Sequence, residues 1–134
     1  MAKPLRILTV VGARPQFIKA ATLGRALGGP FAGRIKEIVL HTGQHFDAGM
    51  SDVFFKELGM RPADVLLSSG PAEASHMGRM MAGVERTIGE DRPDLVLVYG
   101  DTNSTLAGAM AATRMGVPVA HVEAGLRSYD NTMP

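Results

Sequence analysis

The sequence predicts an α/β fold, a parallel β-sheet with flanking helices and strands in the order 3-2-1-4-5. Two observations carry that prediction. Short β-branched runs alternate with longer amphipathic stretches along the whole chain, the pattern of successive βαβ units. Two of those units also carry a carboxylate just after the apolar run. Asp101 follows Leu95-Val96-Leu97-Val98, and Glu123 follows Val117-Pro118-Val119-Ala120. As neighbouring parallel strands, both runs would deliver their acids to one sheet edge, where open α/β folds bind ligands.

Leu5 to Val11 reads as the first strand. Pro15 suits the first turn of the helix that follows, since a missing N–H there is no loss. Phe17, Ile18, Ala21 and Leu27 give that helix a buried side, and Gly28-Gly29-Pro30 ends it. Ile35 to His41 is the second strand. Met50 to Leu58 reads as a helix stopped by Gly59, and Asp64 to Leu67 as a short third strand. Ala72 to Ile88 carries Met77, Met80, Met81, Val84 and Ile88 at helical spacing, a stripe for core packing or for a partner surface. Leu95 to Tyr99 is the fourth strand, Ser104 to Met115 a helix, and Val117 to His121 the fifth strand. No closing helix follows, so residues 1–134 read as a truncated domain.

With 134 residues, 46% hydrophobic and 20% charged, the chain has the composition of one globular domain. A net charge of +1 without a basic run argues against nucleic acid or an anionic membrane as partner. There is no Cys, hence neither a disulfide framework nor a thiolate metal site. The N-terminal apolar run stops at Gly12, too short to span a membrane, and the protein is expected in the cytoplasm.

The turn Val11-Gly12-Ala13-Arg14-Pro15-Gln16 is neither the dinucleotide fingerprint nor a Walker loop. A helix N-terminus still offers N–H groups to an anion, and Arg14 adds a guanidinium. A structural ion pair is the alternative for Arg14, and a solvated helix charge for Lys19. The loop His41-Thr42-Gly43-Gln44-His45-Phe46-Asp47 reads as a polar pocket wall rather than a metal site, because one loop supplies every candidate ligand. His76 has no evident partner. Asp101 precedes a helix, so N-capping competes with catalysis, and Thr102 or Ser104 can fill the same role. Glu123, among Val122, Ala124 and Gly125 past a buried strand, has less structural use and suits proton transfer. His121 is its partner or points to the opposite face.

Four segments together resemble the non-hydrolysing UDP-N-acetylglucosamine 2-epimerases. They are Gly12 to Lys19, Thr42 to Asp47, Tyr99 to Thr105 and His121 to Arg127, with Met50 to Phe55 and Gly78-Arg79-Met80 as further matching positions. The resemblance implies the N-terminal, Rossmann-like half of a two-domain enzyme of GT-B type, whose second, UDP-binding domain this chain lacks. It implies interconversion of UDP-GlcNAc and UDP-ManNAc by elimination and re-addition of UDP, for bacterial surface polysaccharide precursors. It implies no nicotinamide or metal cofactor, and a homodimer. Carried onto this chain, Asp101 and Glu123 are catalytic, Arg14 and Lys19 bind the substrate near the diphosphate, and Gln44 and His45 belong to a regulatory or pocket loop. The 134-residue chain alone is expected to turn over nothing measurable. Rival readings are a nucleotide-sugar glycosyltransferase half-domain, a hydrolysing epimerase, and a non-catalytic dimerisation module using the Met77-Met80-Met81 stripe.

Overall fold

The computed structural model describes residues 3–43, 56–57, 59, 62–67, 76–125 and 129–132. Its elements are β1 (Leu5–Val11), α1 (Arg14–Gly28), β2 (Ile35–His41), β3 (Val65–Leu66), α2 (His76–Asp91), β4 (Leu95–Tyr99), α3 (Asn103–Arg114) and β5 (Val119–Val122). The strands form one sheet in the order β3-β2-β1-β4-β5, and every pairing is parallel. The expected order 3-2-1-4-5 is therefore the observed one. Of the expected helix from Met50 to Leu58, only Lys56 and Glu57 are described, and both are helical.

Strand alternation sorts the core into two layers. Leu8 and Val10 of β1 pack with Val96 and Val98 of β4 against Val84, Ile88, Ala111 and Ala112 of α2 and α3. Ile7 and Val11 turn the other way, with Val39, Leu97 and Tyr99, onto Phe17 and Ala20 of α1. Because both faces are covered, the central strands read as unbroken apolar runs. Gly108 brings α3 close to the sheet, since a Cβ there would lie 2.9 Å from Val98 Cγ1. The methionine stripe splits: Met80 is buried with Val84 and Ile88, whereas Met77 and Met81 are half-buried.

The fifth strand begins two residues later than expected, at Val119. Gly116, at φ +72°, closes α3 in a Schellman turn: its N–H donates to Thr113 O, and Val117 N–H donates to Ala112 O at 2.9 Å. Val117 thus belongs to the helix terminator rather than to the ladder. Among the described residues no helix is long and apolar enough to cross a membrane.

The chain leaves β1 toward β2 on one side, and β4 lies on the other. That reversal opens a crevice at the carboxyl ends of β1 and β4, the place where such sheets bind ligands.

Candidate functional site

Three strand ends meet at Gly12. A Cβ there would come 2.1 Å from Ser104 Oγ and 2.2 Å from Thr42 Oγ1, so any side chain at this position must displace those two hydroxyls. The two hydroxyls are themselves hydrogen-bonded at 2.7 Å, tying the end of β2 to the start of α3. Both residues are buried.

Gln16, also buried, stitches the first turn to the fourth strand. Its Oε1 accepts from Gly12 N–H at 2.8 Å and Ala13 N–H at 3.0 Å. Its Nε2 donates to Tyr99 O at 2.7 Å, Thr102 Oγ1 at 2.8 Å and Thr105 Oγ1 at 3.1 Å. Ala13 cannot cap α1 with a side chain, so this reach back from the helix is the half of a capping box that remains. The turn differs from expectation in one respect. Gly12 and Ala13 give their N–H groups to Gln16, Pro15 has none, and those of Gln16 and Phe17 go to Ala13 O. An anion therefore meets the positive helix end and the exposed Arg14 side chain rather than a fan of amides.

At the second turn, Thr102 is the N-cap of α3, its hydroxyl accepting from Thr105 N–H. The capping role open to Asp101 is thus taken by its neighbour. Asp101 is exposed one residue earlier, after Gly100 at φ +66°. It makes no hydrogen bond or ion pair among the described residues.

Register pairs Tyr99 with Val122, and Gly100 N–H donates to Val122 O, so Glu123 emerges beside the turn that carries Asp101. Glu123 adopts φ +67°, the left-handed region. The corresponding turns after β2 and β4 use glycines, Gly43 at φ +79° and Gly100 at φ +66°. A side chain in that conformation costs about 1–2 kcal/mol, a strain met most often at functional sites. The apolar surroundings expected for Glu123 are absent: its side chain is 29% exposed and its carboxylate is ion-paired with Lys19 Nζ. Lys19 is accordingly neither a lone helix charge nor distant from the acids; α1 carries it to the end of β5. His121 does not bond Glu123. Its Nε2 lies 2.5 Å from Gly100 O, steadying the turn before Asp101.

His41 closes β2, buried against the ring of Phe17, with Gly43 N–H donating to its Nδ1. Burial pushes its pKa down to about 4, keeping the imidazole neutral near pH 7. Gln44 and His45 lie outside the described residues. Among the described residues no group of three or more His, Asp or Glu is placed to hold a metal.

The structure thus gathers Arg14, Lys19, Asp101 and Glu123 from β1–α1, β4–α3 and β5 at one sheet edge. Reasoning from the sequence missed Gln16, Thr42 and Ser104. The available signal was weak: a glutamine three residues into a helix whose N-cap has no side-chain oxygen. Chemically, the edge offers two carboxylates with a cation held against one of them.

A family sequence profile described as UDP-N-acetylglucosamine 2-epimerase matches residues 32–134. Over 131 residues, covering 97% of this chain, the sequence is 50% identical to a UDP-2,3-diacetamido-2,3-dideoxy-D-glucuronate 2-epimerase of Pseudomonas aeruginosa. It is 37% identical over 131 residues, again 97% of the chain, to a UDP-N-acetylglucosamine 2-epimerase of Methanocaldococcus jannaschii. The crystal structure of the M. jannaschii UDP-GlcNAc 2-epimerase with UDP-GlcNAc and UDP superposes with a TM-score of 0.82 at 38% identity, over 99% of this chain. This chain spans 36%, 35% and 35% of those three proteins in turn, about a third of their length.

Proposed function

Because the chain belongs to the UDP-N-acetylglucosamine 2-epimerase family, we propose that the protein epimerises a UDP-linked 2-acetamido sugar at C2 by the non-hydrolysing route. A carboxylate takes the C2 proton, the C–H electrons form a C1=C2 double bond, and the C1–O bond breaks to release UDP. A diphosphate oxygen then re-adds at C1, and an acid returns a proton to the other face of C2. No water is consumed, so the products remain nucleotide sugars.

Asp101 and Glu123 supply base and acid, a contribution of about 10²–10⁴-fold when such groups are well placed. Arg14, Lys19 and the positive end of α1 stabilise the departing diphosphate. Lys19 touches Glu123 already, so an arriving diphosphate meets the cation that holds the carboxylate. A second domain completes the cleft and most of the nucleotide contacts. The full reading includes a cytoplasmic homodimer, with Gln44 and His45 in a regulatory loop.

The observation that carries the reading is Glu123 itself. The backbone accepts a left-handed glutamate where the corresponding turns use glycine, and thereby sets a carboxylate against Lys19. The test is incubation of the protein with its second domain present, because residues 1–134 alone are expected to turn over nothing measurable, with UDP-GlcNAc in deuterated water, followed by proton NMR. Deuterium at C2 together with UDP-ManNAc is expected; retention of the C2 proton refutes the reading, and free ManNAc with UDP replaces it with a hydrolysing one.

A second substrate is favoured by one observation. Identity is 50% to the relative named for a diacetamido-glucuronate, against 46% to a UDP-N-acetylglucosamine 2-epimerase homolog of Methanococcus maripaludis and 37% to the M. jannaschii UDP-GlcNAc enzyme. The sugar turned over is then a nucleotide-linked uronate, which carries a carboxylate besides the diphosphate.

A further inference from the structure

On the sheet face opposite α1, a cavity of about 240 Å³ opens between α2 and the carboxyl ends of β2 and β3. Thr42 and Leu67 form its sheet side, and His76, Arg79, Gly83 and Arg86 line it from the helix. Those helical positions share one face, being separated by three, four and three residues. Gly83 shapes the wall: a Cβ there would come 2.5 Å from Leu67 Cδ1, so glycine lets the end of β3 lie directly on the helix.

The charge of the cavity is one-sided: among the described residues no acidic side chain lines it. Among the described residues neither Arg79 nor Arg86 forms an ion pair or hydrogen bond. His76 Nε2 is enclosed with no hydrogen-bond partner. An enclosed polar atom without a partner costs about 1–3 kcal/mol, and an incoming acceptor would recover that. Arg79 lies one turn from His76, about 4.5 Å along the axis, so both reach one group; Arg86 lies about 10 Å farther on.

Size and position narrow the occupant. Pockets that enclose a whole ligand run to roughly 300–1,000 Å³, so this one fits a part of a ligand. Its wall includes Met80, whose Sδ lies 4.0 Å from Ser104 Oγ, at the junction of Gly12, Thr42 and Ser104. Arg14 and Lys19 come instead from α1, which packs on the opposite face of the sheet. A substrate with a diphosphate and a second anionic group needs two cationic places, and this edge has two.

We propose that the cavity is a carboxylate subsite in which Arg79 and His76 hold the C6 carboxylate of a nucleotide-linked uronate. The inference rests on the epimerase reading and names its substrate class. A guanidinium presents paired N–H groups in the geometry of a carboxylate, whereas a neutral C6 hydroxyl engages only one of them. A phosphate shares the carboxylate's chemistry, and the experiment separates the two.

The test compares UDP-2,3-diacetamido-2,3-dideoxy-glucuronate with UDP-GlcNAc as substrates of the protein with its second domain present, its Arg79→Gln variant, and a Lys36→Gln control at the far end of β2. Arg79 is exposed, so the variant is expected to fold with the parent's urea midpoint. The expected result is a loss of about 10- to 100-fold in kcat/KM for the uronate, carried by KM, with a changed preference between the sugars. Lys36→Gln keeps the parent's preference. An unchanged preference in Arg79→Gln overturns the proposal. So does competition by inorganic phosphate that weakens both sugars alike and vanishes in Arg79→Gln, which assigns the cavity to a phosphate. Should neither sugar exchange its C2 proton, the epimerase reading alone fails, and calorimetry with the same nucleotide sugars decides the subsite. Tighter binding of the uronate that Arg79→Gln abolishes supports it; equal affinities remove it.

Discussion

Replacing Gln16 with leucine keeps nearly the same volume and deletes the polar link between the first and fourth turns. The cost follows from which partners are left alone. Tyr99 O keeps the Thr105 hydroxyl at 2.5 Å, and the Thr102 and Thr105 hydroxyls keep each other at 3.3 Å. Gly12 and Ala13 are different: among the described residues both N–H groups point only at Gln16 Oε1, and both residues are buried. Two stranded buried donors cost about 1–3 kcal/mol each, and the extra apolar burial of leucine returns part of that. A net loss of about 2–4 kcal/mol is expected, a large fraction of the ~5–15 kcal/mol that holds a domain together. Urea denaturation followed by circular dichroism measures it, with an unchanged m-value showing that only the native state moved. The loop carrying Asp101 loses its tether in the same variant, so turnover is expected to fall further than in a core variant of matched stability such as Ile88→Ala, which costs about 2–5 kcal/mol. A loss below about 0.5 kcal/mol, the scale of a surface substitution, would show that Gly12 and Ala13 find other acceptors and would refute the reasoning.

Gly12→Ala drives a methyl group into the Thr42–Ser104 hydrogen bond and is expected to cost about 1–3 kcal/mol. Adding Ser104→Ala should recover part of that, and a double-mutant cycle in urea would show it. Glu123→Gly relieves the left-handed strain, so the variant is expected to be as stable as the parent or about 1 kcal/mol more so, while turnover falls at least 100-fold. A destabilised Glu123→Gly would mean that the Lys19 pair outweighs the strain. His41, neutral and buried in the fold with a pKa of about 4, takes up a proton near pH 6.5 once unfolded. Its contribution is complete above pH 6.5 and shrinks toward pH 4, by about 1.4 kcal/mol per pH unit. Urea midpoints at pH 7, 6 and 5 should show that slope, and His41→Gln should flatten it. Asp101→Asn leaves the Thr102 cap in place, so its stability should match the parent while C2 exchange in deuterated water falls by about 10²-fold or more.

What could be read along the chain was whatever short segments decide alone. Apolar periodicity marks β1, β2, β4 and the helices, Pro15 starts α1, and the switch between the βα units places Asp101 and Glu123 at one edge. The resemblance rests on the same short segments, and the family profile matches residues 32–134, which carry three of the four. Boundaries slipped where a terminator used residues that look like strand, as Val117 does in the turn after α3. The chemistry of the site was settled elsewhere. Gln16 meets Tyr99, Thr102 and Thr105 across sequence separations of 83, 86 and 89 residues. Lys19 reaches Glu123 only because α1 packs on the sheet beside the end of β5. Capping passed from Asp101 to Thr102 on the dihedral angles of one turn, and Glu123 took a left-handed conformation that its residue type disfavours. Local sequence sets propensity and periodicity, because those depend on near neighbours. Which hydrogen bond a buried amide makes, and which carboxylate a lysine finds, depends on distances that exist only after the sheet and helices have packed.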